Sequence, residues 1–158
     1  MNLSVGLQVS LASLSIMQTS QPLAVPVQVS IHNAAPSPVT VLRWGTPLDP
    51  RAGVLGVFGV CDTTNGQDLP MDTIKISRKL PASVEDLVEI PAQHTLNIVV
   101  NLPPLPLEPG HEYSVRAQGT WHAVWESPLA DVNASQRQEL GGAKRGAFQS
   151  NSVLVKME

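Results

Sequence analysis

Histidine, cysteine and paired carboxylates do most protein chemistry, and in this chain they are few and poorly spaced for it. The four histidines, His32, His94, His111 and His122, never fall three or four residues apart, so no helix could present two imidazoles to a metal. His111-Glu112 opens like the zinc-binding pattern H-E-x-x-H, but Val115 stands where the second histidine belongs. The residues around it alternate as in a strand, so the match is one of letters. Cys61 is the only cysteine; it lies in an apolar run without a neighbouring histidine, which predicts a buried, inert thiol rather than a nucleophile. One cysteine also excludes an internal disulfide and leaves both oxidising and reducing compartments open. A Gly-x-Ser-x-Gly elbow, a phosphate-binding loop and a dinucleotide fingerprint are all absent. The expectation is a chain with no catalytic residue, no metal site and no cofactor.

Residues that bind rather than react are better represented. Trp44, Trp121 and Trp125 are candidates for stacking on sugar rings, and Trp121 and Trp125 share strand parity, so they could line one face. The competing reading is core packing, because indoles supply large buried areas. Pro103, Pro104, Pro106 and Pro109 create overlapping PxxP spacing, which suits either an SH3-type groove or a braced crossing loop. Asn133-Ala134-Ser135 and Asn2-Leu3-Ser4 are glycosylation sequons, relevant only to a secreted chain. The net charge is −3, and the densest basic spot is Lys144-Arg145, so nucleic acid is not an expected partner. No run reaches transmembrane length, and the N-terminus lacks the basic and apolar regions of a signal peptide. The compartment stays open, since a leader removed earlier would leave the same sequence.

These residues must be held by strands. Leu3 to Leu11, Leu23 to Ile31, and His94 to Leu102 each alternate apolar and polar positions, which puts one face on a core and one in water. Pro26 lies inside the second run and predicts an edge or a bulge there. Further extended segments are Val39 to Trp44, Val54 to Asp62, Met71 to Arg78 (with Ile74 and Ile76 on one face), Leu87 to Pro91, Tyr113 to Trp125 and Ser150 to Met157. Asn65-Gly66 signals a type I′ hairpin, and Gly119-Thr120 a turn or bulge. The helical candidate is 127–141, with Ser127 as cap, Pro128 at the first position and Gly141 at the end. At 158 residues, with 42% hydrophobic and only 15% charged, the chain is expected to fold as one domain, 1–158. Many short strands with frequent turn signals predict an all-β, immunoglobulin-like antiparallel sandwich with one short helix near the C-terminus. Leu107 to Tyr113 supports this, because a tyrosine after a Pro-Gly turn can pin a crossing loop by bonding back to its backbone.

The order of segments also resembles the N-terminal pro-region of fungal deuterolysin-type zinc endopeptidases. The likeness runs from the Leu23–Ile31 strand into Asn33, through Val39-Thr40-Val41-Leu42-Arg43-Trp44-Gly45-Thr46-Pro47-Leu48-Asp49, and the apolar Val54–Phe58. It continues in the Leu107–Tyr113 turn and in Phe148-Gln149-Ser150-Asn151-Ser152-Val153-Leu154-Val155. It spans nearly the whole chain, but its motifs are strand patterns punctuated by Gly and Pro. The protease half of that family carries HExxH and a Gly-Thr-x-x-Asp segment. Here Gly45-Thr46-Pro47-Leu48-Asp49 has the second spacing without partner histidines. The resemblance therefore implies a pro-domain-like module without its enzyme, acting in trans as an inhibitor or folding assistant of a zinc endopeptidase. The expected contact surface is the Gly45–Gly53 loop with Trp44, Thr46, Leu48, Asp49 and Arg51, since Trp and Arg favour interface hot spots. The alternatives are a structural or adhesive module pairing through an open sheet edge, and a sugar-binding sandwich using Trp121 and Trp125.

Overall fold

A computed structural model describes residues 6–13, 23–70, 73–76, 78–105, 107, 108 and 110–156. The alternating runs form strands. One sheet has the order β1-β2-β7, from Leu7–Ser13, Leu23–Asn33 and Thr95–Leu105, all antiparallel. Val27, Val29 and Ile31 point inward and are almost fully buried, while Gln28, Ser30 and His32 between them keep partial access to water. The polar side chains pair across strands: Ser30 with Asn97 at 2.6 Å and His32 with Thr95 at 2.8 Å.

The second sheet is built on β8, Glu112–Trp125, a strand of 14 residues. Its path runs β5-β4-β8-β3-β6, from Gln67–Asp68, Phe58–Asp62, β8, Val39–Leu42 and Leu87–Ile90. β9 (Lys144–Gln149) and β10 (Val153–Lys156) also pair with β8. One apolar core joins the inner faces of both sheets, with Val29, Ile31 and Leu102 from the first and Val41, Val60, Val115 and Trp121 from the second. This is the all-β sandwich that the alternation predicts. The tyrosine behaves as expected too: buried Tyr113 accepts the Glu108 N–H at its hydroxyl, at 2.7 Å, and anchors the 107–111 crossing.

Two sheet edges are occupied locally. The Asn151 side chain lies along β1 like a piece of strand, its Oδ1 accepting from Leu11 N–H at 2.7 Å and its Nδ2 donating to Leu11 C=O at 3.1 Å. On β7, a Cβ placed on Gly53 would come within 2.6 Å of the Asn101 carbonyl oxygen, so only glycine allows the loop to approach so closely.

Several local expectations need correction. Residues 127–141 are not one helix: Leu129–Asp131 is a 3-10 turn, and α1 covers only Ala134–Glu139. Asn133, not Ser127, is the cap; its Oδ1 accepts Gln136 N–H at 2.8 Å, and Gln136 Oε1 accepts Asn133 N–H at 3.0 Å. The helix ends at Leu140 in the left-handed region rather than at Gly141. The Asn65-Gly66 hairpin is real, but Asp62 pairs with Gln67 across four residues and only Gly66 has positive φ, so it is not type I′. The aspartate and asparagine side chains shape it, with Asp62 Oδ1 accepting from Thr64 N–H and Asn65 Oδ1 from Gln67 N–H. Residues 73–76 and 78 are irregular rather than a strand, tied to the 43–55 loop by Ile74 N–H to Val54 C=O at 2.8 Å; Met71, Asp72 and Ser77 lie outside the described residues. Of the PxxP prolines, Pro103 and Pro104 belong to β7, and Pro106 and Pro109 lie outside the described residues, as does the Asn2 sequon. Lys144–Gln149 forms β9, a strand that the extended segments read from the sequence do not include.

The irregularity in β8 falls after Gly119-Thr120, between Trp121 and Val124, where the register with β9 shifts. Before it, Tyr113, Val115, Ala117 and Trp121 face the main core. After it, Val124 faces that core, while Ala123 and Trp125 turn to the opposite side. There they join Leu42, Ala82, Leu87 and Val132 in a second, smaller core under the 128–143 segment.

Candidate functional site

That parity switch removes the sugar-binding reading. Trp121 is fully buried against Phe148, ring centroids 4.9 Å apart, and Trp125 is 2% exposed with its Nε1 donating to Gly141 C=O at 2.9 Å. Neither indole offers a face to a ligand. Trp44 differs: it is half-buried at the margin of the smaller core and borders a groove.

The loop after β3 is rigid because its polar side chains satisfy its own backbone. Thr46 Oγ1 donates to Arg43 C=O at 2.7 Å and accepts from Leu48 N–H at 3.1 Å. Asp49 accepts from Gly45 N–H at 2.9 Å through one oxygen and from Arg51 N–H at 3.0 Å through the other. The same carboxylate holds Arg78, whose Nη2 lies 3.0 and 3.1 Å from its two oxygens. The Arg78 guanidinium in turn sits over the Trp44 ring, 5.7 Å from its centroid, within cation–π range. Asp86 stands close by, capping a 3-10 turn at Ser83. Burial pushes the Asp86 carboxyl up, but hydrogen bonds from the Ser83 amide and hydroxyl and from Trp44, with the Arg78 charge, hold it below its ordinary range.

Of the five residues expected to meet a partner, three are turned inward. Thr46, Leu48 and Asp49 are buried and brace the loop, so they cannot touch a partner without unfolding it. Arg51 is exposed but lies outside the groove, and Trp44 lines it. The groove measures about 780 Å³. Its sheet side carries Leu42 and His122, its flanks carry Ile74, Arg78 and Leu80 on one segment and Leu140, Ala143 and Arg145 on another. Ile74 and Leu80 are 44% and 46% exposed and both line the groove, giving it an apolar surface open to solvent. Sequence reasoning found Trp44 but missed Ile74, Leu80, Arg78, His122 and Arg145. The Ile74-x-Ile76 spacing predicts a strand, whereas the segment is an irregular flank. His122 lies against Gly45, at which a Cβ would fall 3.3 Å from Nε2. Burial and then the Arg145 charge push this imidazole below its ordinary value.

A separate cluster closes the far end of β4 and β8. His111 Nδ1 meets Asp62 Oδ2 at 2.8 Å and its Nε2 meets Glu108 Oε2 at 3.1 Å. The Asp62 hydrogen bond raises the His111 pKa, burial opposes it, and the charges of Asp62 and Glu108 add to the rise. For Asp62, burial pushes upward, yet hydrogen bonds from His111 and the Thr64 amide carry the carboxyl below its ordinary range. This clasp joins the hairpin to the crossing loop. Cys61 is partly buried and free. Among the described residues no three His, Cys, Asp or Glu side chains are grouped to hold a metal.

The chain matches the immunoglobulin-like domain model over residues 7–157, and it belongs to that family. It is also similar to an "Uncharacterized secreted protein" of Arthroderma benhamiae, 43% identical over 154 residues, which cover 95% of this chain and 78% of the relative.

Proposed function

We propose that this chain is a non-catalytic, protein-binding module of the immunoglobulin-like family, and that the Trp44–Arg78 groove is its docking face. An immunoglobulin-like fold serves many purposes, so the reading must rest on the site. The observation that carries it is a half-buried indole covered by a guanidinium that a buried carboxylate fixes, beside two exposed aliphatic side chains. Trp and Arg set in a preformed depression are the types that dominate binding energy, and a rigid loop loses little entropy on association. The name of the relative, a secreted protein, supports export of this chain as well.

The class of partner comes from the pro-region resemblance, which rests on the strand and loop pattern and not on the family match. On that reading the chain acts in trans on a zinc endopeptidase, as inhibitor or folding assistant. Adhesion through an edge of the three-stranded sheet has less support, since Asn151 covers β1 at Leu11 and the Gly53 loop lies against β7 at Asn101. The test is a titration of the chain into a purified deuterolysin-type endopeptidase beside unrelated proteases. Saturable inhibition, or faster refolding, confined to the zinc enzyme is expected. No effect from a chain shown to be folded would remove this partner class.

A further inference from the structure

We propose that the groove selects an acidic–apolar segment of a partner protein, with an Asp or Glu carboxylate seated at Arg145 and apolar neighbours on Ile74, Leu80 and Leu140. This rests on the groove being the docking face and names what enters it. The charges around the groove are unequal in kind. Asp49 is consumed by Arg78 and two backbone amides. What faces the opening otherwise is Lys75 and Arg145 against Glu139. Lys144 is paired with Glu126, whereas among the described residues no carboxylate lies within 4.0 Å of its neighbour Arg145.

Among the described residues the side-chain bond of Arg145 is to His122 Nδ1, at 3.3 Å. A guanidinium can only donate, so Nδ1 accepts and the imidazole proton resides on Nε2. The lowered His122 pKa agrees with a neutral ring. A neutral imidazole leaves the guanidinium charge unbalanced at the rim of an apolar groove, in a protein whose net charge is −3. A carboxylate supplies the missing partner in a bidentate geometry that arginine favours. Apolar flanking residues are required because Leu42, Ile74, Leu80 and Leu140 make up much of the wall. The depression is open to solvent rather than enclosed, which suits a peptide segment better than a lipid chain.

The probe is a library of decapeptides of Leu, Ile, Phe, Ser and Gly with one Glu, screened beside the same library with Gln in its place. Binders are expected in the Glu library, with affinity falling about tenfold on Glu→Gln exchange. Arg145→Gln should erase that difference and Lys144→Gln should keep it. Equal binding by the two libraries, or an Arg145→Gln protein that still prefers Glu, overturns the carboxylate assignment. If those peptides still lose affinity in an Ile74→Ser, Leu80→Ser protein, the groove remains the docking face. Absence of any binder, or displacement of peptide by decanoate at equal concentration, overturns the proposal as well.

Discussion

Both carboxylate oxygens of Asp49 accept from Arg78 Nη2, at 3.0 and 3.1 Å, with the Asp49 side chain wholly out of water and Arg78 24% exposed. Because Asp49 also accepts two loop amides, this pair sets both the loop and the guanidinium over Trp44. Asp49→Asn keeps the shape but removes the charge, and should cost about 2–3 kcal/mol. Arg78→Gln should cost a similar amount. The double variant should cost less than the sum by roughly 1 kcal/mol or more, since the residues act as a unit. Urea unfolding of the four proteins measures this; strict additivity would mean that the pair is not coupled.

The three tryptophans report on the groove separately. Trp121 and Trp125 are buried and Trp44 is not. Iodide should quench only part of the indole emission, and Trp44→Phe should abolish that part. Quenching that survives the substitution would place another indole at the surface and reopen the sugar-binding reading.

Glycines offer a paired test of the loop's approach to β7. A Cβ on Gly53 meets backbone at 2.6 Å, while one on Gly59 meets nothing within 4 Å. Gly53→Ala should destabilise by about 2 kcal/mol or more, because the loop must lift from Asn101. Gly59→Ala, in β4, should be neutral or stabilising by roughly 0.5–1 kcal/mol. Equal melting temperatures for the two variants would show that the loop gives way freely.

The His111 clasp makes stability depend on pH with a definite sign. His111 holds its proton more tightly when folded, so its contribution is complete below the ordinary value of 6.5 and fades as pH rises through the raised value. Asp62 has the opposite sense: its contribution is complete above 3.8 and fades as pH falls through the lowered value. The clasp is whole between those limits. His122 works against it on acidification, because its neutral form is favoured and its contribution declines as pH drops below 6.5. His111→Gln should therefore lower stability more at about pH 5 than at about pH 9. A loss of the same size at both pH values would leave the ion pairs without a role.

Much of this fold can be read from alternation. Leu23 to Ile31 specifies a half-buried strand, and the burial of Val27, Val29 and Ile31 follows it position by position. The Tyr113 hydroxyl bonds where a tyrosine after Pro-Gly is expected to bond. The failures share a cause, which is that parity and propensity are local while contacts are not. Trp121 and Trp125 share parity in the sequence, but the register shift in β8 sends them to different cores. Ile74 and Ile76 alternate, yet the segment forms no ladder and serves as a groove flank. In the site, Trp44 is legible as a hot-spot residue type beside the Gly45–Gly53 loop. Arg78, 29 positions beyond Asp49, is not, because only the fold brings the two together.

The most direct test of the docking face uses two groove residues that lie outside both buried cores. Ile74 and Leu80 are about half exposed, so Ile74→Ser with Leu80→Ser should lower the melting temperature by no more than about 8 °C and leave the protein folded at assay temperature. The parent and this double variant would be titrated into the same zinc endopeptidase under the same conditions. The account predicts saturable inhibition by the parent and an inhibition constant raised about tenfold or more in the variant. Inhibition of equal strength by both proteins would contradict it, moving the docking face away from the Trp44–Arg78 groove.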